Sequence, residues 1–94
     1  MFQLLISTLQ DVAVYSKNMV AIGKVKDIEV NLDDMKVTYL ILELEKQATK
    51  ELFDKRIVLR HSKGKVPTAL IEKVGEAVVL KHPMAELKGL IEHM

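Results

Sequence analysis

The sequence has no cysteine and no tryptophan. The first absence removes disulfides, thiolate nucleophiles and cysteine-ligated zinc together, and it agrees with a reducing compartment. Aromatic residues make up 4% of the chain, so the core has to be built from Val, Ile, Leu and Met. Charge of one sign is also missing: 14 Lys and Arg face 13 Asp and Glu, a formal net charge of +1. With 49% hydrophobic residues, that balance excludes a disordered chain, which needs low hydrophobicity and high net charge. No apolar run approaches the roughly 18 residues of a membrane span. The apolar start Met1–Ile6 has no cationic lead and breaks at Ser7, Thr8, Gln10 and Asp11, unlike a secretory leader. A cytoplasmic chain without direct membrane insertion is the expectation. The four glycines stand far apart, which excludes a glycine-rich phosphate loop. At 94 residues the chain has room for one domain, expected over residues 1–94.

What is present is a series of short aliphatic segments. From Val20 to Leu32 the apolar residues slip phase: Val20 and Ile22 share one face, Val25 takes the other, and Ile28, Val30 and Leu32 return. Such a strand bends or carries a bulge, and Gly23 is the residue that permits it. Bends of this kind let a short sheet curl into a barrel. Asn31–Lys36 is rich in turn formers and predicts a hairpin onto a strand at Val37–Glu45. That strand is apolar on both faces, with Val37, Tyr39 and Ile41 on one and Leu40, Leu42 and Leu44 on the other.

Gln47–Asp54 reads as a loop or a single helical turn, Ile57-Val58-Leu59 as a short strand, and Ser62–Lys65 as a turn. Thr68 is placed to cap a short helix over Thr68–Lys73. Ala77–Lys81 is the next strand. After Pro83, a good first residue for a helix, Met84, Leu87, Leu90, Ile91 and Met94 recur near a 3.6-residue period. An amphipathic helix over about 83–93 is predicted. It is too short to stand alone and needs a surface to dock on.

The run Ile22-Gly23-Lys24-Val25-Lys26-Asp27-Ile28-Glu29-Val30 is followed by an acidic turn and the strand Val37–Leu42. Val66-Pro67 and Ile71–Leu80 come later. In this order the pieces resemble the PRC-barrel family, over roughly residues 9–81. The resemblance implies a mainly β fold: a small, strongly bent antiparallel barrel with short helical turns and the C-terminal helix. It implies binding rather than catalysis. Family settings include the photosynthetic reaction-centre H subunit, the ribosome maturation factor RimM, and stand-alone archaeal proteins at the division ring. The chain looks most similar to the stand-alone type, because barrel and short tails fill it.

On that resemblance the leading expectation is a non-enzymatic adaptor in archaeal FtsZ-based cell division. It would bind the FtsZ anchor SepF, or pair as a homodimer or as a heterodimer with a paralogous barrel. The expected protein interface is Leu40, Leu42, Leu44, Met84, Leu87, Leu90 and Ile91, since contiguous apolar surface rarely stays exposed on a monomer. Two arrangements stay open for the helix: packing on its own barrel, or crossing to a partner's groove. Lys88 is its only lysine or arginine, which disfavours a membrane-surface role. Phe2, Leu4, Leu5 and Ile6 are candidates to add a strand at a free edge.

The alternatives are a RimM-like ribosome-assembly or RNA-associated factor and a small-ligand barrel. Lys55, Arg56, Arg60, Lys63 and Lys65 with His61 form the cationic stretch a nucleic acid would need, but no aromatic platform is interleaved. Nucleic acid is therefore an unfavoured partner. A barrel this short is filled by its own side chains, which ranks the ligand reading last. Asp27, Glu29, Asp33 and Asp34 do not have the spacing of a calcium loop. None of His61, His82 and His93 adjoins a nucleophile or ligand cluster in sequence. No cofactor, metal or catalytic set is expected.

Overall fold

A computed structural model describes residues 9–53 and 62–93. Its strands are β1 (Ala13–Tyr15), β2 (Ala21–Asn31), β3 (Lys36–Leu44), β4 (Lys63–Pro67), β5 (Ile71–Val74), β6 (Val78–Leu80) and β7 (Glu92–His93). Helix α1 (Lys46–Phe53) lies between β3 and β4, and the single turn α2 (Met84–Leu87) lies between β6 and β7. All seven strands join one sheet in the order β5-β6-β1-β2-β3-β4-β7. Only the β1–β6 pair is parallel. The sheet curls into a half-barrel, as the expected fold class requires.

Four register slips bend the sheet, one on β5 between Ile71 and Lys73 and three on β2 and β3. Opposite β1, Val14 pairs with Gly23 and Tyr15 with Ala21, which leaves Ile22 as the extra residue on β2. Opposite β3, Val25 pairs with Leu42 and Asp27 with Ile41, so Lys26 is extra. Further out, Glu29 pairs with Tyr39 and Val30 with Val37, which makes Thr38 extra on β3. Each extra residue bends its strand and sharpens the twist. The sequence pattern placed Ile22 and Val25 on opposite faces, yet both are fully buried in one core. The Thr38 slip likewise turns Val37 toward the core, away from Tyr39 and Ile41. Gly23 is needed for closeness rather than bending. A Cβ there would sit 2.2 Å from the Glu43 carbonyl oxygen and 3.0 Å from Leu44 Cα, closer than any side chain tolerates.

One apolar cluster fills the curl, with Leu40, Leu42 and Leu44 of β3 at its centre. Ile22 and Val25 of β2 join them, with Val66, Val78 and Leu80 from β4 and β6. The helices close its open side: α1 contributes Ala48 and Leu52, α2 contributes Met84 and Leu87. Burying each large aliphatic side chain is worth about 1.5–3 kcal/mol. Two fully buried polar residues have partners. The Thr49 hydroxyl donates to the Glu45 carbonyl at 3.0 Å, and the Val20 N–H donates to Ser16 Oγ at 3.0 Å.

Several local expectations are corrected. Over the described part of Gln47–Asp54, read as a loop or one turn, runs the eight-residue helix α1 (Lys46–Phe53), held by its buried face. Ser62–Lys65 is not a turn. Lys63–Pro67 forms strand β4, with Gly64 and Val66 inward while Lys63 and Lys65 face out. Thr68 caps no helix, and its hydroxyl instead donates to the Val37 and Thr38 carbonyls at 3.0 and 3.3 Å. Only Thr68–Leu70 is helical, as a tight 3-10 turn, and Ile71–Lys73 belongs to β5. The helix predicted over 83–93 ends after one turn. Gly89 takes φ +88, and the chain reverses to lay β7 beside β4. Ile57-Val58-Leu59 and Phe2–Ile6 lie outside the described residues.

Candidate protein-binding surface

The residues expected to form an interface lie mostly inside the chain. Leu40, Leu42, Leu44, Met84, Leu87 and Ile91 are all buried in the common core. The reason is the curl: the alternate face of β3 that reads as outward wraps around the interior, and α2 packs over the same cluster. Of the expected set, Leu90 alone is exposed, at 42%.

The opposite face of β3 is occupied by charged neighbours. Lys65 Nζ lies 2.9 Å from Glu29 Oε2 and 4.3 Å from the Tyr39 ring centroid. The hydrogen bond from Lys65 to Glu29 raises the lysine pKa above its ordinary value. Lys26 Nζ lies 2.5 Å from Asp11 Oδ1 and 3.5 Å from Glu43 Oε2. That hydrogen bond holds the Asp11 carboxyl below its ordinary range and raises Lys26. Ion pairs at this exposure are worth little each, but they cover the outer face with neutralised charge. Lys65, counted in the sequence as part of a cationic stretch, is thereby committed to Glu29 and Tyr39. Lys55, Arg56, Arg60 and His61 lie outside the described residues.

The exposed apolar side chains are elsewhere. Leu32 is 78% exposed and Met35 71% exposed, and both sit at the tip of the β2–β3 hairpin. The turn is built by its acids and amide. Asn31 Oδ1 accepts the Asp33 N–H at 2.9 Å, and Asp34 Oδ1 accepts the Lys36 N–H at 3.1 Å. Met35 adopts φ +57, a left-handed conformation that costs a residue other than glycine roughly 1–2 kcal/mol. Among the described residues, β2 meets β1 only from Ala21 to Lys24, and β3 meets β4 only from Tyr39 onward. Among the described residues the hairpin beyond Val37 is therefore two-stranded. Its tip is a small apolar knob holding two carboxylates.

A cleft of about 510 Å³ lies at the other end of β2, lined by Asn18, Val20, Glu51, Met84, Ala85 and Lys88. Asn18 braces its wall: its Oδ1 accepts the Ser16 hydroxyl and, at 3.4 Å, the Met84 N–H. Beside it, Met19 is 60% exposed with φ +63.

Reasoning from sequence missed both Leu32 and Met35. Asn31–Lys36 reads as a turn on its Asn and Asp residues, which drew attention away from the two apolar side chains among them. An apolar residue inside a run of turn formers was the available signal, since a turn itself has no use for one.

Among the described residues, no helix is long and apolar enough to cross a membrane. A search of the curated proteins found no match. The PRC-barrel domain family model matches residues 1–87, which takes in strands β1 to β6, both helices and the hairpin. On that match, and with the bent half-barrel beneath it, the chain belongs to the PRC-barrel family.

Proposed function

We propose that this protein is a non-enzymatic adaptor that binds other proteins through the tip of the β2–β3 hairpin. The observation that carries the reading is the pair Leu32 and Met35, both well exposed on a projecting turn. Large apolar side chains on an exposed turn suit a partner's pocket, where a few central residues supply most of the binding energy. Methionine adapts its shape to such a pocket readily. The acids Asp33 and Asp34 favour a partner whose pocket has a cationic rim, which also speeds association.

By resemblance to the stand-alone archaeal PRC barrels, the partner is the FtsZ anchor SepF or a second barrel, of this chain or a paralogue, at the division site. The interface moves from the buried β3 leucines to the hairpin. The test replaces Leu32 and Met35 together by Asp and measures affinity for purified SepF and paralogous barrel from the same cell. A loss of about tenfold or more supports the reading. Undiminished affinity in the double variant would sink it.

A further inference from the structure

We propose that the outer edge of β2, from Asp27 to Asn31, accepts an extended segment of a partner protein as an added strand, a segment in which basic and aliphatic residues alternate. This edge adjoins the hairpin tip but binds through its backbone, so it stands or falls apart from Leu32 and Met35.

The backbone is open there. β2 pairs with β1 from Ala21 to Lys24, and Val25 makes the last contacts: its N–H donates to the Val12 carbonyl, and its carbonyl accepts the Asp11 N–H. From Asp27 onward, among the described residues, β2 pairs with β3 alone. Backbone groups of successive strand residues point to alternate sides. The Ile28 N–H is met at 2.8 Å by the Asp27 carboxylate instead of a strand carbonyl, which marks Ile28 as facing away from β3. The slip beyond Glu29 puts its extra residue on β3, so β2 keeps its alternation and Val30 faces the same way as Ile28. Outward N–H and C=O groups of this kind are what strand addition uses.

The side chains specify the occupant. Ile28 and Val30 are half-buried on one face of β2, while Asp27, Glu29 and Asn31 are exposed on the other. A strand laid beside them continues both faces, so aliphatic residues meet Ile28 and Val30 and basic residues meet the acids. Glu29 is already paired with Lys65. Asp27 exchanges partners: an incoming carbonyl takes over the Ile28 N–H and leaves the Asp27 carboxylate to a cation. Asp33 adds a second acid just past the end of the strand. Lys36 stands on β3 opposite Asn31, across β2 from the open edge. Two copies of the edge laid antiparallel would set acid against acid, which disfavours a second copy as the occupant.

The probe is a short synthetic peptide of alternating lysine and valine, capped at both ends, titrated into the isotope-labelled chain. It is expected to bind and to slow amide exchange at Ile28 and Val30 by about tenfold or more. A glutamate–valine peptide is expected to bind about tenfold more weakly or worse. Valines opposite Ile28 and Val30 would exchange the ladder bonds. N-methylation of the valines should therefore cost about tenfold in affinity, and N-methylation of the lysines much less. Val30→Pro removes an outward N–H at an edge position that tolerates proline, and it too should cost about tenfold; circular dichroism checks its fold.

No binding of the lysine–valine peptide at millimolar concentration overturns the proposal. So do equal affinities for the two charge versions, equal effects of the two methylations, or unchanged exchange at Ile28 and Val30. A folded Val30→Pro that binds as wild type does the same. If the peptide leaves Ile28 and Val30 unprotected while the double variant of Leu32 and Met35 still loses its protein partner, strand addition falls and the reading of the tip stands.

Discussion

At the residue scale the bonds around Lys26 and the space around Gly23 make sharp claims. Asp11 titrates below its ordinary value of 3.8 because Lys26 donates a hydrogen bond to its carboxylate. A depressed carboxyl contributes stability above its unfolded pKa and loses it as pH falls through the folded value. The Asp11–Lys26 contact should accordingly hold through neutral pH, weakening in acid as Asp11 is protonated below 3.8 and in base as Lys26 loses its proton above 10.5. Carboxyl NMR titration should place the Asp11 midpoint below 3.8, and Lys26→Met should return it to the ordinary range. A wild-type midpoint at or above 3.8 would show the contact absent in solution. Gly23→Ala should destabilise by roughly 3 kcal/mol, the upper range for overpacking, because the atoms in the way are backbone. Chemical denaturation measures it, and a cost below about 1 kcal/mol would mean that β2 and β3 are less close. Gly23 was legible in the sequence as a special position, but its reason was not. Strand pairing brings Glu43 against it from twenty residues away, and no local pattern encodes that distance.

At the scale of elements, β3 and the hairpin it belongs to divide stability from binding. Leu42→Ala should cost about 2–5 kcal/mol, as a large-to-small change in a closed core does. Leu32→Asp should stay within about 0.5 kcal/mol of wild type, as a surface change. Thermal melts of the two variants side by side test the division. Equal costs would mean that the tip is packed against something. The apolar periods of β2 and β3 were readable, as was the hairpin between them. The faces were not, because the slips at Ile22, Lys26 and Thr38 each turn the side chains beyond them over. The C-terminal helix failed for another reason. Met84, Leu87 and Ile91 fit a helical period yet reach the core through one turn and a reversal at Gly89. Periodicity records which residues are buried, and two different backbones can bury the same three.

At the scale of the whole molecule, the curled sheet consumes the aliphatic residues that a reading of the sequence offered to a partner. A domain of this size has little apolar surface to spare. Exposed apolar side chains therefore carry more information than apolar stretches do, and the hairpin tip is where two of them coincide. The family was legible because its motifs lie in the bent strands themselves; the proposed binding surface was not, because it stands on a turn. The most direct test is amide chemical-shift mapping of the isotope-labelled chain titrated with a purified proposed partner, SepF or a barrel. The account predicts that the largest changes fall between Val30 and Val37. A silent tip, with the changes gathered on the outer face of β3 around Tyr39 and Ile41, would contradict it.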